Sequence, residues 1–359
     1  MKKQMKKLLS MLLISTVIPS VLWGCTSGGT KGQETVQGSQ PAAKDTKAPD
    51  VTEAKETMGT AKQVAADQDY PSRDVQWIIP YPAGSATDLP ARVYQPYFEE
   101  ALGGNAIITN MPGSAGTVAA AELMNTKPDG YTISSFLPSL LIPYILGSVD
   151  FYYDDFDVIC QYGVINHGLV VRADSPYQTL EELLDAAREN PGTLNLGGSF
   201  NHVQQIALLE LKNLSGADFN IVEIGGTTIK APELLSGRVD AYIDAFSACA
   251  SYINSGEFRC LAVFADERDP FFPDVPTAKE CGYDVSYDFS FGLMAPKGTP
   301  QEILDKLETA AKEACENPKY VEELNKLFTK ASFMGHEEYR KYLDDMKGRL
   351  EESLNNLLE

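Results

Sequence analysis

Histidine and tryptophan are scarce in this 359-residue chain, which contains three and two of them, respectively. Neither an H-E-x-x-H nor a C-x-x-C pattern occurs, so the sequence predicts no metal site. The P-loop and the G-x-G-x-x-G turn after a strand are also missing, and we expect no bound cofactor. The G-x-S-x-G elbow of hydrolases is absent too, because the closest turn reads GGSFN at 197–201. We therefore expect no catalytic residues and no enzyme, with a hydrolase as the most distant alternative.

Positive charge is also in short supply. The 30 lysines and arginines face 50 aspartates and glutamates, which gives a net charge of −20. Since nucleic-acid binding requires a basic face, no nucleic-acid partner is expected. The hydrophobic content of 43% and the charged content of 22% are ordinary for a globular protein. A polytopic membrane fold and disorder of the whole chain are thereby excluded.

The cysteines are few and irregularly spaced. Apart from Cys25, five remain, at positions 160, 249, 260, 281 and 315. An odd number without C-x-x-C spacing favours neither a disulfide framework nor a zinc cluster. We expect most of them to be small buried apolar side chains.

Residues 1–24 have the pattern of a secretory signal peptide. Lysines at positions 2, 3, 6 and 7 precede the apolar run 8–21, which is too short to span a bilayer. Leu22-Trp23-Gly24-Cys25 resembles a lipobox, which predicts lipidation of Cys25; an uncleaved anchor helix is the alternative. Both place the chain outside the cytoplasm. Cleavage would remove four lysines and no acid, and so take the net charge from −20 to −24.

Residues 25–72 are predicted to form the lipidated Cys25 and a flexible tether. The segment is rich in Gly, Ser, Thr, Gln, Lys and Ala and has almost no large apolar residues, so it cannot bury enough surface to fold. Such a long tether favours display on a Gram-positive surface, with a Gram-negative periplasm as the alternative.

From Val75 onward, strand-like runs alternate with helix-period segments, which predicts α/β architecture with mainly parallel sheets. Pro96 lies inside the first predicted helix, where we expect a kink or an early stop. The predicted strands are 75–79, 105–109, 131–136, 168–172, 194–197, 221–224, 241–245 and 259–265. The predicted helices are 88–102, 117–125, 179–190, 203–214, 231–236, 300–316 and 336–358.

Three turns that lead from a strand into a helix are rich in capping residues. They are PYPAGSATD at 80–88, NMPGSAGT at 110–117 and GGSFNH at 197–202. Amide groups at a helix N-terminus, together with the helix dipole, attract anions. Three such turns favour a small acidic ligand, although helix capping alone also explains each of them.

These turns, in this order, resemble the receptors of tripartite tricarboxylate transporters, the Bug family of extracytoplasmic solute-binding proteins. The resemblance runs from about Val75 to beyond Pro300. Its further pieces are PDGYT at 128–132, DDF at 154–156, TLEEL at 179–183, NPG at 190–192, GGT at 225–227, ELLSGRVD at 233–240, GEFRCLAV at 256–263, PDVPT at 273–277, ECG at 280–282 and FGLMAPKGTP at 291–300.

The resemblance implies a two-lobed clamshell, similar to type II periplasmic binding proteins, with helices flanking both sheets. Two crossover strands are expected, near Val171 to Asp174 and near Phe289 to Leu293. Lobe 1 would comprise 73–172 plus 292–359, and lobe 2 would comprise 173–291.

The resemblance also implies that backbone amides, hydroxyls and bridging waters grip a carboxylate, so that no arginine clamp is required. The candidate loops contain no lysine or arginine. The predicted ligand-binding residues are Gly84, Ser85, Ala86, Thr87, Asp88, Ser135, Ser199, Asn201, His202, Gly226, Thr227 and Asp244.

Several of these residues have a second interpretation. Asp88 either caps a helix or turns into the cleft to select an amine or hydroxyl, and Ser135 either lines the cleft floor or faces solvent. Phe200 either stacks on a flat ligand or packs under its turn, with packing preferred. His202 is expected to be neutral, because the positive end of a helix disfavours the imidazolium. His167 and His336 are interpreted as structural residues.

The predicted function is capture of a small carboxylate, such as a di- or tricarboxylate, and its delivery to the membrane permease subunits of a tripartite tricarboxylate-type transporter. A ligand-responsive sensor with the same fold is the alternative, since both functions need closure on ligand. We expect a monomer attached to the membrane by its lipid.

Overall fold

The fold of this computed structural model is built on two β-sheets, and the structure describes residues 70–287 and 289–356. The predicted signal peptide, Cys25 and nearly all of the predicted tether lie outside the described residues. The strands are β1 (Val75–Ile79), β2 (Ala106–Asn110), β3 (Thr132–Phe136), β4 (Phe156–Ile165), β5 (His167–Arg172), β6 (Asn195–Gly198), β7 (Asn220–Glu223), β8 (Ala241–Ala245), β9 (Phe258–Val263), β10 (Phe289–Pro296) and β11 (Lys330–Met334).

The sheets mix parallel and antiparallel pairs. The first has the order β11-β4-β10-β3-β1-β2 and the second β7-β6-β8-β5-β9. Pairs β1/β2, β1/β3, β6/β7 and β6/β8 are parallel, whereas β3/β10, β4/β10, β4/β11, β5/β8 and β5/β9 are antiparallel. Five of these nine strand pairs are antiparallel, so the prediction of mainly parallel sheets is wrong. Strand–helix alternation predicts parallel pairing only where a crossover helix returns the chain to the same sheet, and β4 and β5 are separated by Asn166 alone.

The chain leaves the first sheet at Asn166. Val171, near the predicted first crossing at 171–174, already lies in the second sheet, where it pairs with Ala241. That crossing therefore lies earlier in the chain than predicted. The return is at the start of β10, where Phe289 pairs with Ile165. The two strands that meet there, β4 and β10, thus stand beside the junction between the sheets.

Ten α-helices of the described residues accompany the strands. They are α1 (Asp88–Leu102), α2 (Thr117–Met124), α3 (Leu141–Ile145), α4 (Leu180–Glu189), α5 (Val203–Ser215), α6 (Thr227–Leu235), α7 (Phe246–Asn254), α8 (Gln301–Glu316), α9 (Pro318–Asn325) and α10 (His336–Asn356). Helix α1 continues through Pro96 to Leu102, so there is no early stop. Within the described residues, no helix combines the length and the apolar character needed to cross a membrane.

An aromatic cluster joins the first sheet to the C-terminal helices. The buried ring of Trp77 on β1 lies edge-on to Tyr94 of α1 at 6.1 Å between ring centroids, and Tyr94 stacks on Tyr162 of β4 at 4.6 Å. The Tyr94 hydroxyl donates to the carbonyl oxygen of Ala311 on α8 at 2.7 Å. The C-terminal helices therefore pack against the first sheet, which also contains strands β1 to β4.

The cysteines are all free thiols in the described residues. Those at 160, 249 and 315 are buried, and those at 260 and 281 are partly buried. Burial raises the pKa of the Cys160 and Cys249 thiols well above the usual value, so these groups stay uncharged and behave as small apolar side chains.

Gly292 lies where β10 touches the C-terminal helix. A Cβ on Gly292 would stand 2.4 Å from a ring carbon of Tyr339, whose buried hydroxyl is hydrogen-bonded to Ser290 Oγ at 3.0 Å. We predict that Gly292→Ala lowers the free energy of unfolding by about 1–3 kcal/mol, because the ring cannot move without losing that bond. Urea denaturation measures the change.

The matched control is Gly348→Ala, on the exterior of α10, where a Cβ would meet nothing within 4 Å. It should raise stability by about 0.5–1 kcal/mol, since alanine favours a helix over glycine. Equal stability of Gly292→Ala and wild type would show that β10 and α10 are not packed as described.

Candidate functional site

A cavity of about 300 Å³ lies between loops of the two sheets. Its walls come from the loops after β1, β6 and β7, from helix α6, and from β4, β5, β8 and β10 near the junction of the sheets. Of the predicted ligand-binding residues, seven line it: Ser85, Ala86, Thr87, Ser199, His202, Gly226 and Asp244. Residues distant in the sequence thus converge on one site.

Four other predicted residues lie outside the cavity walls: Gly84, Asp88, Ser135 and Asn201. Ser135 is buried on β3, where its Oγ accepts the indole hydrogen of Trp77 at 2.9 Å, so it neither lines the cavity nor faces solvent. Thr227 is the first residue of α6, and its side chain is outside the described part of the structure. Phe200 is half-buried and lines the cavity.

The carboxylate of Asp88 fixes the loop between β1 and α1. Its Oδ2 accepts the amide hydrogen of Gly84 at 2.9 Å and the Arg92 Nε hydrogen at 2.8 Å, and its Oδ1 accepts from Asn110 Nδ2 at 2.7 Å. Burial alone would raise the pKa of this carboxyl, but the hydrogen bonds from Arg92, Asn110 and Gly84 together hold it below its usual value. Asp88 therefore stabilises the loop from inside. It is the first residue of α1 and not the one before it, and it does not line the cavity.

The loop that Asp88 holds contains two backbone amides that no hydrogen bond of the described residues uses. Ser85 uses its backbone oxygen and its Oγ to accept from the amides of Leu89 and Asp88 at the start of α1. Ala86 and Thr87 line the cavity, and the hydrogen bonds of the described residues leave their amide hydrogens unused. Because both precede the N-terminus of α1, the helix dipole adds positive potential there. This position can bind an anionic oxygen.

The turn after β6 is different, because side chains of the protein already accept from its amides. Ser199 N donates to Gln204 Oε1 at 3.1 Å, and Asn201 N donates to Gln205 Oε1 at 2.9 Å. Phe200 N donates to the carboxylate of Glu223. Three of the amides of GGSFNH, those of Ser199, Phe200 and Asn201, are therefore already hydrogen-bonded within the protein. The second turn, at 110–117, reaches the cavity only through Ala115.

A buried lysine, which the sequence analysis missed, lies in the cavity wall. Lys230 of α6 places its Nζ 2.6 Å from Gln204 Oε1, 3.2 Å from Asp244 Oδ1 and 3.3 Å from the carbonyl oxygen of Ile243. Both members of the Lys230–Asp244 ion pair are almost fully buried. The candidate loops do contain no lysine, but the helix α6 brings one into the cavity wall. The sequence indicated this lysine only by its position, since Lys230 follows shortly after Gly225-Gly226.

Two histidines and a phenylalanine form an aromatic wall. Phe289 lies 4.7 Å from the His202 ring, which stacks on it, and 4.2 Å from the His167 ring. Burial, and then the positive charge of Lys230, lower the pKa of His202 to about 3, and burial lowers that of His167 well below its usual value. Within the described residues, Nδ1 of each ring has no hydrogen-bond partner.

His167 thus contradicts the purely structural role that the sequence suggested, because it lines the cavity. His336 keeps such a role, with its Nδ1 2.6 Å from the carbonyl oxygen of Val158. Tyr81 also lines the cavity, and its hydroxyl lies 3.1 Å from Ser139 Oγ. The site combines two amide donors, neutral rings and an internally paired lysine. Among the described residues, no cluster of His, Cys, Asp and Glu could hold a metal ion.

We predict that Asp88→Asn lowers the free energy of unfolding by about 1–3 kcal/mol at pH 7, because an amide places a donor against the donors of the loop. The folded-state pKa is lowered, so the stabilisation is present above the unfolded pKa of about 4 and is lost as pH falls through the folded value. The stability gap between wild type and variant should therefore narrow in acid.

Urea denaturation at pH 7 and at about pH 3 measures both effects. Exposed Asp150 supplies the control, since Asp150→Asn should alter stability at neither pH. A gap that is the same at both pH values would contradict the role of the carboxylate as a brace.

Comparison with known proteins places these features in a family. Residues 91–357 match the family model of the tripartite tricarboxylate transporter family receptor. A UPF0065 protein of Cupriavidus necator is 34% identical over 78% of this chain and 86% of its own length. BugT of Bordetella pertussis is 32% identical over 74% of this chain and 83% of its own length.

Among solved structures, MatC of Rhodopseudomonas palustris with bound malate has a TM-score of 0.71 and 26% identity, with coverage of 81% of this chain and all of that one. The likeness confirms the predicted two-lobed binding-protein fold. The family is one of substrate-binding receptors and not of enzymes, which agrees with the missing catalytic motifs. This chain belongs to the tripartite tricarboxylate transporter receptor family.

Proposed function

We propose that this receptor captures a small carboxylate in the cavity and that the loop between β1 and α1 holds the carboxylate group. The observation that carries the proposal is that Ala86 and Thr87, whose amides are unused, line the cavity beside the N-terminus of α1. The malate bound to MatC supports the same ligand class.

The binding energy is adequate without a free cation. A hydrogen bond to a charged group contributes about 1.5–3 kcal/mol. Two amides, the Thr87 hydroxyl and the burial of the ligand against the aromatic wall can together reach micromolar affinity, about −8 kcal/mol, after the costs of ordering. The negative surface is a small obstacle, because physiological salt screens it over about 8 Å.

We further propose that the receptor delivers its ligand to the membrane subunits of a tripartite tricarboxylate-type transporter. Membership of this receptor family supports that partner. Residues 25–72 would act as a tether that lets the folded part reach the permease, with Cys25 as the lipid attachment point on the outer face of the cell membrane. The Gram-positive surface is the proposed location.

A thermal-shift panel tests capture. The purified protein, refolded to remove any carried ligand, is mixed with di- and tricarboxylates, aromatic acids and acidic amino acids. At least one acid should raise the melting temperature in a concentration-dependent manner, because a ligand that binds only the folded state stabilises it. If none does so, the proposed function is wrong.

The carboxylate-binding loop is tested by Thr87→Val, which removes the hydroxyl and keeps the shape of the side chain. Calorimetric titration with the best acid of the panel should show about tenfold weaker binding, equivalent to the loss of one charge-assisted hydrogen bond. Thr309→Val, at an exposed position on α8, is the control and should bind as wild type does. Equal affinity of all three proteins would remove Thr87 from the site.

Lipid anchoring is tested by Cys25→Ser in the expressed full-length chain. The wild-type protein should enter the detergent-rich phase of a Triton X-114 separation, and the variant should not be modified and should lose that behaviour. If the processed wild-type protein stays in the aqueous phase, Cys25 does not carry a lipid.

A further inference from the structure

We propose that Glu223 determines the ligand specificity of the cavity. It favours acids that have one carboxylate and, at the other end of the molecule, an uncharged group or a hydrogen-bond donor. It disfavours dicarboxylates. This inference rests on the proposed function, because it assumes that the loop between β1 and α1 holds the first carboxylate.

Glu223, an exposed residue, accepts two backbone amide hydrogens of the second sheet's loops with its own carboxylate. It is the last residue of β7 and lines the cavity. Its Oε2 accepts the amide hydrogen of Phe200, and its Oε1 accepts that of Gly225, each at 2.5 Å. Gly225 has a φ of +73°, a conformation that turns its amide toward this carboxylate. Both amides belong to residues that line the cavity.

The neighbouring amides of the same turn are also engaged. Those of Ser199 and Asn201 donate to the side chains of Gln204 and Gln205. The Ser199 hydroxyl donates to the carbonyl oxygen of Gly225 at 2.7 Å. A second ligand carboxylate would therefore have to displace an existing bond at each of these groups.

Lys230 does not offer a free positive charge to a second ligand carboxylate. Its ammonium group has three hydrogens, and Gln204, Asp244 and the carbonyl oxygen of Ile243 lie within hydrogen-bonding distance of it. Asp244 already neutralises its charge at 3.2 Å. The charged side chains that line the cavity are thus Glu223, Asp244 and Lys230, which sum to one negative charge.

The histidines add no positive charge. Burial keeps His167 and His202 neutral at physiological pH, as their lowered pKa values show. Each has a buried Nδ1 without a hydrogen-bond partner among the described residues. The cavity walls that come from the second sheet therefore combine a carboxylate with uncharged rings. That combination matches a donor group on the ligand and repels a second carboxylate.

The test compares acids that share a carbon skeleton and differ at the far end. The three sets are butyrate, 4-aminobutyrate and succinate; hexanoate, 6-aminohexanoate and adipate; and benzoate, 4-aminobenzoate and terephthalate. In each set that binds to the refolded wild-type protein, calorimetry should show the dicarboxylate as the weakest ligand, by about tenfold, since like charges in contact cost roughly that factor. This ratio of the affinities within a set is measured on the wild-type protein alone.

The variant Glu223→Gln retains the shape of the side chain, removes its charge and keeps one of its two amide hydrogen bonds. It should strengthen dicarboxylate binding about tenfold relative to the monocarboxylate of the same set. Exposed Glu189, on α4 of the same half of the molecule, gives the control: Glu189→Gln should leave every ratio unchanged.

Two results overturn the proposal in different ways. If the dicarboxylate is the tightest ligand of wild type, or if Glu223→Gln leaves the ratio as it was, Glu223 does not set specificity, while the carboxylate-binding function stands. If none of the nine acids binds, and the wider panel is also negative, both the function and this inference fail.

Discussion

The site depends on the carboxylate of Asp88. One buried carboxylate holds the amide of Gly84, the guanidinium of Arg92 and the amide group of Asn110, and thereby ties the loop after β1 to helix α1 and to the end of β2. Because these bonds use both carboxylate oxygens inside the loop, the loop has a fixed shape before any ligand arrives. Pre-organisation of this kind reduces the entropy lost on binding.

In the rest of the cavity the charged groups are likewise held by other groups of the protein. Lys230 is paired with Asp244, and Glu223 is held by two backbone amides. A carboxylate bound in the proposed site would therefore meet amides and a helix end in place of a free cation. This arrangement explains how a chain with a net charge of −20 can serve an anionic ligand: the excess acid is largely a property of the solvated exterior.

Local patterns in the sequence were enough to predict much of the fold. The strand Val75–Ile79 and the helix Asp88–Leu102 have the predicted bounds, because a short apolar run and capping residues act within a few positions. The strand Phe156–Ile165 was missed as an element, since the antiparallel partners that stabilise it, β10 and β11, are far away in the sequence. Its polar residues, such as Gln161, also interrupt the apolar run.

Only part of the site could be predicted, because only part of it is determined by residues that are close together in the sequence. The loop with Ala86 and Thr87 carries its own capping chemistry, so it could be recognised locally. That Glu223 accepts the amide of Phe200, and that His167 and Lys230 reach the cavity, follow only from the way β5, β6, β7 and α6 are brought together. No spacing in the sequence encodes those contacts. The resemblance to a family indicated where the cleft lies and not which groups already fill it.

The position of the bound carboxylate can be seen directly in a crystal structure of the refolded protein with its tightest acid. We expect the ligand carboxylate to lie within hydrogen-bonding distance of the amides of Ala86 and Thr87, while Asp88 keeps its bonds to Gly84, Arg92 and Asn110. A carboxylate bound instead at the turn after β6, or paired with Lys230 in place of Asp244, would contradict this expectation.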